Sequence, residues 1–221
     1  MNEAQIQILN KELKFDLSED KIKIYGKYKE FFLQKNAHTN LISKNDEKLL
    51  FEKHIFDSLA INLFLKNRHS KTLERLLDIG TGGGFPSIPI AIFYDNINVF
   101  ALDSIRKKIN IIEELKSDLK LDNLFPICDR VENLQLKNNR KSYDYVTTRA
   151  VAPLETILKY AIPNLKVGGH FIAYKSKKAL SEIKDAERIA KLLKTKIIDI
   201  IEYTLPLEEI YERNLIIFER M

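Results

Sequence analysis

Leu76-Leu77-Asp78-Ile79-Gly80-Thr81-Gly82-Gly83-Gly84-Phe85-Pro86 is the stretch whose reading decides the architecture of this chain. Its opening is a short apolar run ending in an acid, the pattern of a buried parallel strand. Glycines at alternate positions follow, Gly80, Gly82 and Gly84, and Pro86 then suits the start of a helix, where its missing N–H goes unmissed. Strand, glycine loop and helix together form the first turn of a nucleotide-type α/β fold. The dinucleotide fingerprint G-x-G-x-x-G fails here, because Phe85 stands where its third glycine belongs. A phosphate loop would need Gly-Lys-Ser/Thr, which is also missing.

Working outward, the chain after Glu74 alternates strands and helices. Strands are expected at 74–78, 98–103, 124–128, 143–148 and 170–174, with a closing hairpin pair at 196–204 and 215–220. Helices are expected between them at 86–93, 105–119, 154–161 and 177–193, and Pro126 assigns the third strand to a sheet edge. Residues 1 to about 70 read differently: they hold one glycine, no proline, and apolar residues at helical spacing. Ile6, Leu9 and Leu13 form one stripe, and Ile22, Tyr25, Tyr28, Phe32 and Leu33 a second, capped by Ser18. A third helix is expected from Asp46 through Lys66. The chain thus divides into a helical N-terminal module, 1–70, and an α/β domain, 71–221.

The totals are those of a soluble α/β domain with an appendage: 221 residues, 45% hydrophobic, 30% charged, net charge +5. No apolar run approaches the roughly 20 residues of a membrane span, and the polar start Met1-Asn2-Glu3-Ala4-Gln5 lacks a signal-peptide core. A single cysteine, Cys128, excludes an internal disulfide and any multi-cysteine metal site. These features point to the cytoplasm, with no metal and no membrane partner. The N-terminal 70 residues carry 12 Lys+Arg against 10 Asp+Glu, which does not make them an obvious nucleic-acid arm.

Three places carry candidate chemistry beyond the loop. Asp103 closes the second strand 23 residues after Gly80, where an α/β fold presents an acid to a ribose; the same acid could instead cap the following helix together with Ser104. Arg149, after the fourth strand, brings a permanent cation that could meet a carboxylate, a phosphate or a guanine edge, or else pair structurally with Glu132 or Asp103. Lys53-His54-x-x-Asp57-Ser58 invites a catalytic reading, but His and Asp at i and i+3 are helix neighbours, and a local polar contact explains them equally. Basic clusters at Arg106-Lys107-Lys108, at Lys137 with Arg140-Lys141, and at Lys175 with Lys177-Lys178 either meet RNA or are solvated helix ends; Tyr174 beside the last could stack on a base.

Asp78-x-Gly80-x-Gly82-x-Gly84 resembles motif I of the class I S-adenosylmethionine (SAM) methyltransferases, and seven strands ending in an antiparallel pair match that architecture. The resemblance sharpens when Asp78-Ile-Gly-Thr-Gly-Gly-Gly-Phe-Pro-Ser-Ile-Pro89, Asp103-Ser-x-Arg-Lys-Lys, Arg130-Val-Glu132, Thr148-Arg-Ala-Val-Ala152 and Lys53-His-Ile-x-Asp-Ser58 are taken together in order. That set is similar to the bacterial small-subunit ribosomal RNA methyltransferase G family (RsmG, also GidB). It implies a class I SAM-dependent methyltransferase, a Rossmann-like seven-stranded sheet with a helical N-terminal extension, which methylates N7 of a guanosine in 16S rRNA near the decoding region. It implies SAM contacts at Gly80, Phe85, Val131, Glu132 and Arg149, to which the motif reading adds Asp78, Gly82, Gly84 and Asp103. Arg149 would act by positioning, with no general base, because N7 has no proton to lose. The partner implied is 16S rRNA or the small subunit; separately, the chain is expected to act as a monomer. Ser87 departs from the glycine usual there and is expected to narrow the pocket slightly. The competing readings are a methyltransferase for another RNA or a small molecule, a SAM- or RNA-binding protein without catalysis, and, from another class, an NAD-dependent oxidoreductase.

Overall fold

The computed structural model describes residues 1–68, 72–136 and 142–221. The expected domain boundary near residue 70 and the Lys137, Arg140 and Lys141 cluster lie outside the described residues. Seven strands form one sheet in the order β3-β2-β1-β4-β5-β7-β6. They are β1 Glu74–Ile79, β2 Ile97–Asp103, β3 Leu124–Cys128, β4 Tyr143–Arg149, β5 Leu165–Ser176, β6 Thr195–Leu205 and β7 Tyr211–Arg220. Strands β1 to β5 run parallel, whereas β7 is antiparallel to both β5 and β6. The chain runs outward from β1 through β2 to β3 and then crosses back to β4 on the other side of β1. This reversal of order opens a crevice at the carboxyl ends of β1 and β4.

Side chains alternate between two cores, as a pleated sheet covered on both faces requires. Leu76, Tyr145, Ile172, Tyr174, Leu215 and Ile217 face one core. There they meet the N-terminal helices and the helices α6 Ser87–Phe93 and α7 Arg106–Leu119. Leu77, Val146, Phe171, Ile216 and Phe218 face the other, against α9 Leu154–Ala161 and α10 Ile183–Leu192. The short α8 Val131–Leu136 follows β3. Pro126 lies on the edge strand, where its missing donor costs no ladder bond to a further strand.

The N-terminal part opens with α1 Glu3–Leu13, capped by Asn2 in a capping box with Gln5, and α2 Glu19–Thr39, capped by Ser18. The single helix expected over 46–66 is not continuous. It comprises α3 Lys44–Glu47, a π-helical stretch Leu50–Phe56, α4 Asp57–Leu59 and α5 Asn62–Leu65. The physical reason is burial: every residue from Ile55 to Ile61 is buried, so this segment has no solvent face and its winding answers to neighbours on all sides. Smaller differences follow the same logic. Strand β5 begins at Leu165, which pairs with Tyr143, and an irregular stretch with Gly168 at φ +76° precedes the resumption of the ladder at His170. Strand β7 begins at Tyr211, since backbone pairing with β6 carries a polar stretch that shows no strand pattern. The helix expected at 177–193 starts with a tighter turn, Lys177–Glu182, before α10. Pro86 stands just ahead of α6 and not inside it.

Candidate active site

Asp78 is fully buried at the end of β1, and its carboxylate accepts from Ser87 Oγ (2.6 Å) and Thr147 Oγ1 (3.1 Å). Ser87 Oγ lies 2.7 Å from Thr81 Oγ1, so one network ties strand, loop, α6 and β4 together. Burial pushes the Asp78 carboxyl above its ordinary range, against the three hydroxyls. Asp78 thus sits behind the loop and faces neither cavity described below. Ser87 does not narrow the pocket as expected: it is buried and spends its hydroxyl on Asp78. Gly84 likewise lines neither cavity; a Cβ there would run into the Ile88 side chain, so its role is to let the loop pack on α6.

Two cavities meet over the loop. The first, about 480 Å³, brings together Gly80, Gly82, Asp103, Val131, Glu132 and Arg149. Its apolar wall includes Ile79, Leu102, Ile105 and Ile157. Gly82, at φ +59°, has nothing nearer its missing Cβ than Gly80 O at 3.9 Å, so the backbone there is bare to a ligand. Asp103 ties the glycine loop to the entry of α7. Its Oδ1 accepts from Ile105 N and its Oδ2 from Gly82 N, both at 2.9 Å, and each oxygen keeps a lone pair for a hydroxyl. An apolar slot, an acid at the strand end and an open glycine backbone fit an adenosyl group carrying a free ribose.

The second cavity, about 490 Å³, holds Phe85, apart from the other predicted contacts, with Lys53, His54, Asp57, Tyr211 and Arg213. The two cavities share Gly80, Gly82, Lys108, Arg149 and Ala150. Ala150 adopts φ +56°, a conformation disfavoured for alanine, at the point where β4 delivers Arg149 to this junction. The Arg149 guanidinium does not pair with Glu132 or Asp103. Its Nη1 donates to Asp57 Oδ2 and Lys53 O, both 3.1 Å, and its Nη2 lies 2.9 Å from His54 Nδ1. Phe85 lies 5.2 Å beneath it and 4.8 Å from the His54 ring.

His54 and Asp57 therefore act not on each other but on Arg149. Guanidinium nitrogens only donate, so His54 Nδ1 accepts and its proton resides on Nε2. Burial, with help from Arg149, pulls the His54 pKa down to about 4, and the ring is neutral at pH 7. Asp57 also accepts from Tyr203 Oη (2.5 Å) and from Arg213 Nε and Nη2 (3.0 and 3.2 Å). Arg213 and Tyr203 carry no signal of this role in the sequence. Asp57 does, as an acid inside the apolar run from Ile55 to Ile61. Two basic expectations change as well. Tyr174 is buried with its hydroxyl on Ser58 O, so it stacks on nothing. Lys175 and Lys177 are held by Glu182 and Glu212. Among the described residues no group of three or more His, Cys, Asp or Glu could hold a metal ion, and no helix is long and apolar enough to cross a membrane.

Known proteins resemble this chain in fold and in sequence. Among solved structures the chain is similar to M. jannaschii TYW2 in complex with AdoMet, at TM-score 0.55 and 21% identity over 69% of this chain and 71% of that one. It is similar also to precorrin-6y C5,15-methyltransferase from Geobacter metallireducens, at TM-score 0.53 and 15% identity over 83% and 92%. At such identities the likeness is one of fold. Curated relatives are nearer: ribosomal RNA small subunit methyltransferase G of Fusobacterium nucleatum is 39% identical, over 88% of this chain and 81% of its own length. The protein of the same name from Listeria welshimeri is 33% identical over 100% and 91%. The family model GidB, described as rRNA small subunit methyltransferase G, matches residues 21–211, and the chain belongs to that family.

Proposed function

We propose that this protein transfers a methyl group from SAM to N7 of a guanosine in 16S ribosomal RNA. The observation that carries the reading is the lining of the junction between the two cavities: two glycines, an alanine and two cations, with no proton acceptor. The nearby histidine has spent its lone pair on Arg149, and Asp57 is saturated by two arginines and a tyrosine. Guanine N7 presents a lone pair and no proton, so it is a nucleophile that such a junction can serve without a base. When bound, SAM supplies an electrophilic methyl group on a sulfonium. Asp103 would hold its ribose, Val131 and Glu132 its adenine, and the backbone at Gly80 and Gly82 its methionyl part. Arg149, fixed by Asp57 and His54, would orient the groups that meet at the junction, so that rate comes from positioning.

The test is incubation of the protein with labelled SAM and small-subunit rRNA or assembled subunits, followed by digestion and nucleoside identification. N7-methylguanosine at one position is the expected product. A methyl group on an exocyclic amine, whose proton must be removed, would refute the reading. Single-turnover transfer should also show no rising limb between roughly pH 6 and 9, the range in which a histidine base would reveal itself.

A further inference from the structure

The second cavity carries more charge than its own residues neutralise. Lys53, Lys108, Arg149 and Arg213 line it against only Asp46 and Asp57, with His54 neutral. Lys53 is held by Asp46 at 2.7 Å, and both arginines share Asp57. Among the described residues the Lys108 side chain has no partner. Lys108 is half-buried, belongs to both cavities, and sits in the first turn of α7 beside the exposed Arg106 and Lys107. That turn holds no acid. Three successive cations at the positive end of a helix dipole oppose its stability, so the helix gains from an anion brought from outside.

The lining of the same cavity also carries an aromatic ring. Tyr211 has 47% of its surface exposed and stands across the β6–β7 ladder from the buried Leu205, which lines the cavity too. A flat ring with an open face, an unpaired ammonium and a volume of about 490 Å³ suit a nucleotide. We propose that this cavity seats one nucleotide of a single-stranded RNA, its base against Tyr211 and its phosphate on Lys108, with Arg106 and Lys107 carrying the neighbouring phosphates. The proposal rests on the reading that RNA is the substrate. Contiguity through Gly80, Gly82 and Arg149 then places that nucleotide next to the cofactor cavity.

The experiment uses the full chain saturated with S-adenosylhomocysteine and a fluorescein-labelled single-stranded oligouridine RNA holding one guanosine. Binding is read by anisotropy across a salt series, with circular dichroism to establish that each variant is folded. Tyr211→Ala should weaken binding about 10-fold, the scale of one lost base stack. Tyr211→Phe, which keeps the ring, should stay within about two-fold of the native chain. Lys108→Met should flatten the slope of log affinity against log salt by roughly 0.7, the value of one single-strand phosphate contact. Native-like affinity and salt slope in both Tyr211→Ala and Lys108→Met would overturn the proposal. Methyl transfer to small-subunit rRNA, run in parallel, separates this failure from that of the functional reading. If the native chain makes N7-methylguanosine while both variants bind as it does, the cavity assignment falls and the activity stands. If the native chain methylates no rRNA yet binds the oligonucleotide through Tyr211 and Lys108, the activity falls and the cavity stands. A native chain that binds no RNA overturns both.

Discussion

Asp57 carries two guanidinium groups and a phenol on one buried carboxylate, and what holds it there also holds Arg149. Burial alone would raise its carboxyl, but Arg213, Arg149 and the Tyr203 hydroxyl outweigh burial and keep it below the ordinary range. Asp57→Asn should therefore destabilise the chain by about 3–5 kcal/mol in urea unfolding, the usual result of leaving buried charges without their partner. Any folded fraction should bind SAM more weakly, because Arg149 loses its anchor. The two low-pKa histidines make a separate prediction. His54 and His170 are both pulled down by burial to about 4, from an ordinary 6.5. The unfolded chain therefore binds protons that the folded chain does not, and their contribution to stability is complete above pH 6.5 and is lost on descending toward pH 4. Asp78 and Glu74, whose carboxyls are raised, act with the opposite sign, so the effect is read by difference. Between pH 7.5 and 5 the native chain should lose on the order of 2 kcal/mol more than His170→Phe. Equal losses would show that His170 titrates normally. At this scale the sequence revealed residue types but not partners. Arg149 was legible as a cation at a strand end, whereas its anchor lies 92 residues away on a segment with no strand or glycine signature.

The glycine loop and the segment 44–65 mark the two extremes of what local pattern can show. The loop was readable because strand, positive-φ turn and helix each leave a mark within a dozen residues. Its glycines nevertheless do different work, and substitution should separate them. Gly84→Ala pushes a methyl group into Ile88 at φ +91°, and should cost about 2–4 kcal/mol of stability in urea. Gly82→Ala meets no neighbour, so it should cost only about 1 kcal/mol for its positive φ. Its methyl group projects where the cofactor cavity has bare backbone, and SAM affinity by calorimetry should fall at least about 10-fold. Equal SAM affinity in Gly82→Ala and the native chain would remove the loop from the cofactor site. Residues 46–66 read as one helix because unbroken burial from Ile55 to Ile61 erases the periodicity that distinguishes one winding from another. The π-helical stretch there presents Lys53 O and His54, and α4 presents Asp57, to the same guanidinium.

Across the molecule, the change of pattern near residue 70 separates two kinds of sequence without separating two cores. Leu9, Tyr25, Tyr28, Phe32, Phe56 and Leu59 belong to one apolar cluster with Leu76, Ile88, Val99 and Ile109 of the α/β part. An aromatic chain runs across the division, with Tyr28 5.6 Å from Phe32, Phe32 5.3 Å from Phe85, and Phe85 4.8 Å from His54. Polar ties follow it: Lys21 pairs with Asp95, Lys35 with Glu114, and Tyr94 Oη donates to Asn62 at 2.8 Å. Composition could show where helices give way to alternation, but not that the helices complete one face of the sheet, because those contacts are long-range. Removing residues 1–71 would expose Phe85, Ile88 and Ile109, and each such side chain contributes about 1.5–3 kcal/mol when buried. Three such losses together come to about 5–9 kcal/mol, the same order as the roughly 5–15 kcal/mol by which native proteins are stable. The fragment 72–221 should therefore fail to fold cooperatively, while the full chain unfolds in one transition. With no tryptophan in the sequence, the check is urea unfolding followed by tyrosine near-ultraviolet and far-ultraviolet circular dichroism, whose midpoints should coincide. Two separated transitions, or a fragment that folds and binds SAM, would show that the helical part is a detachable module and that Arg149 finds its position without Asp57.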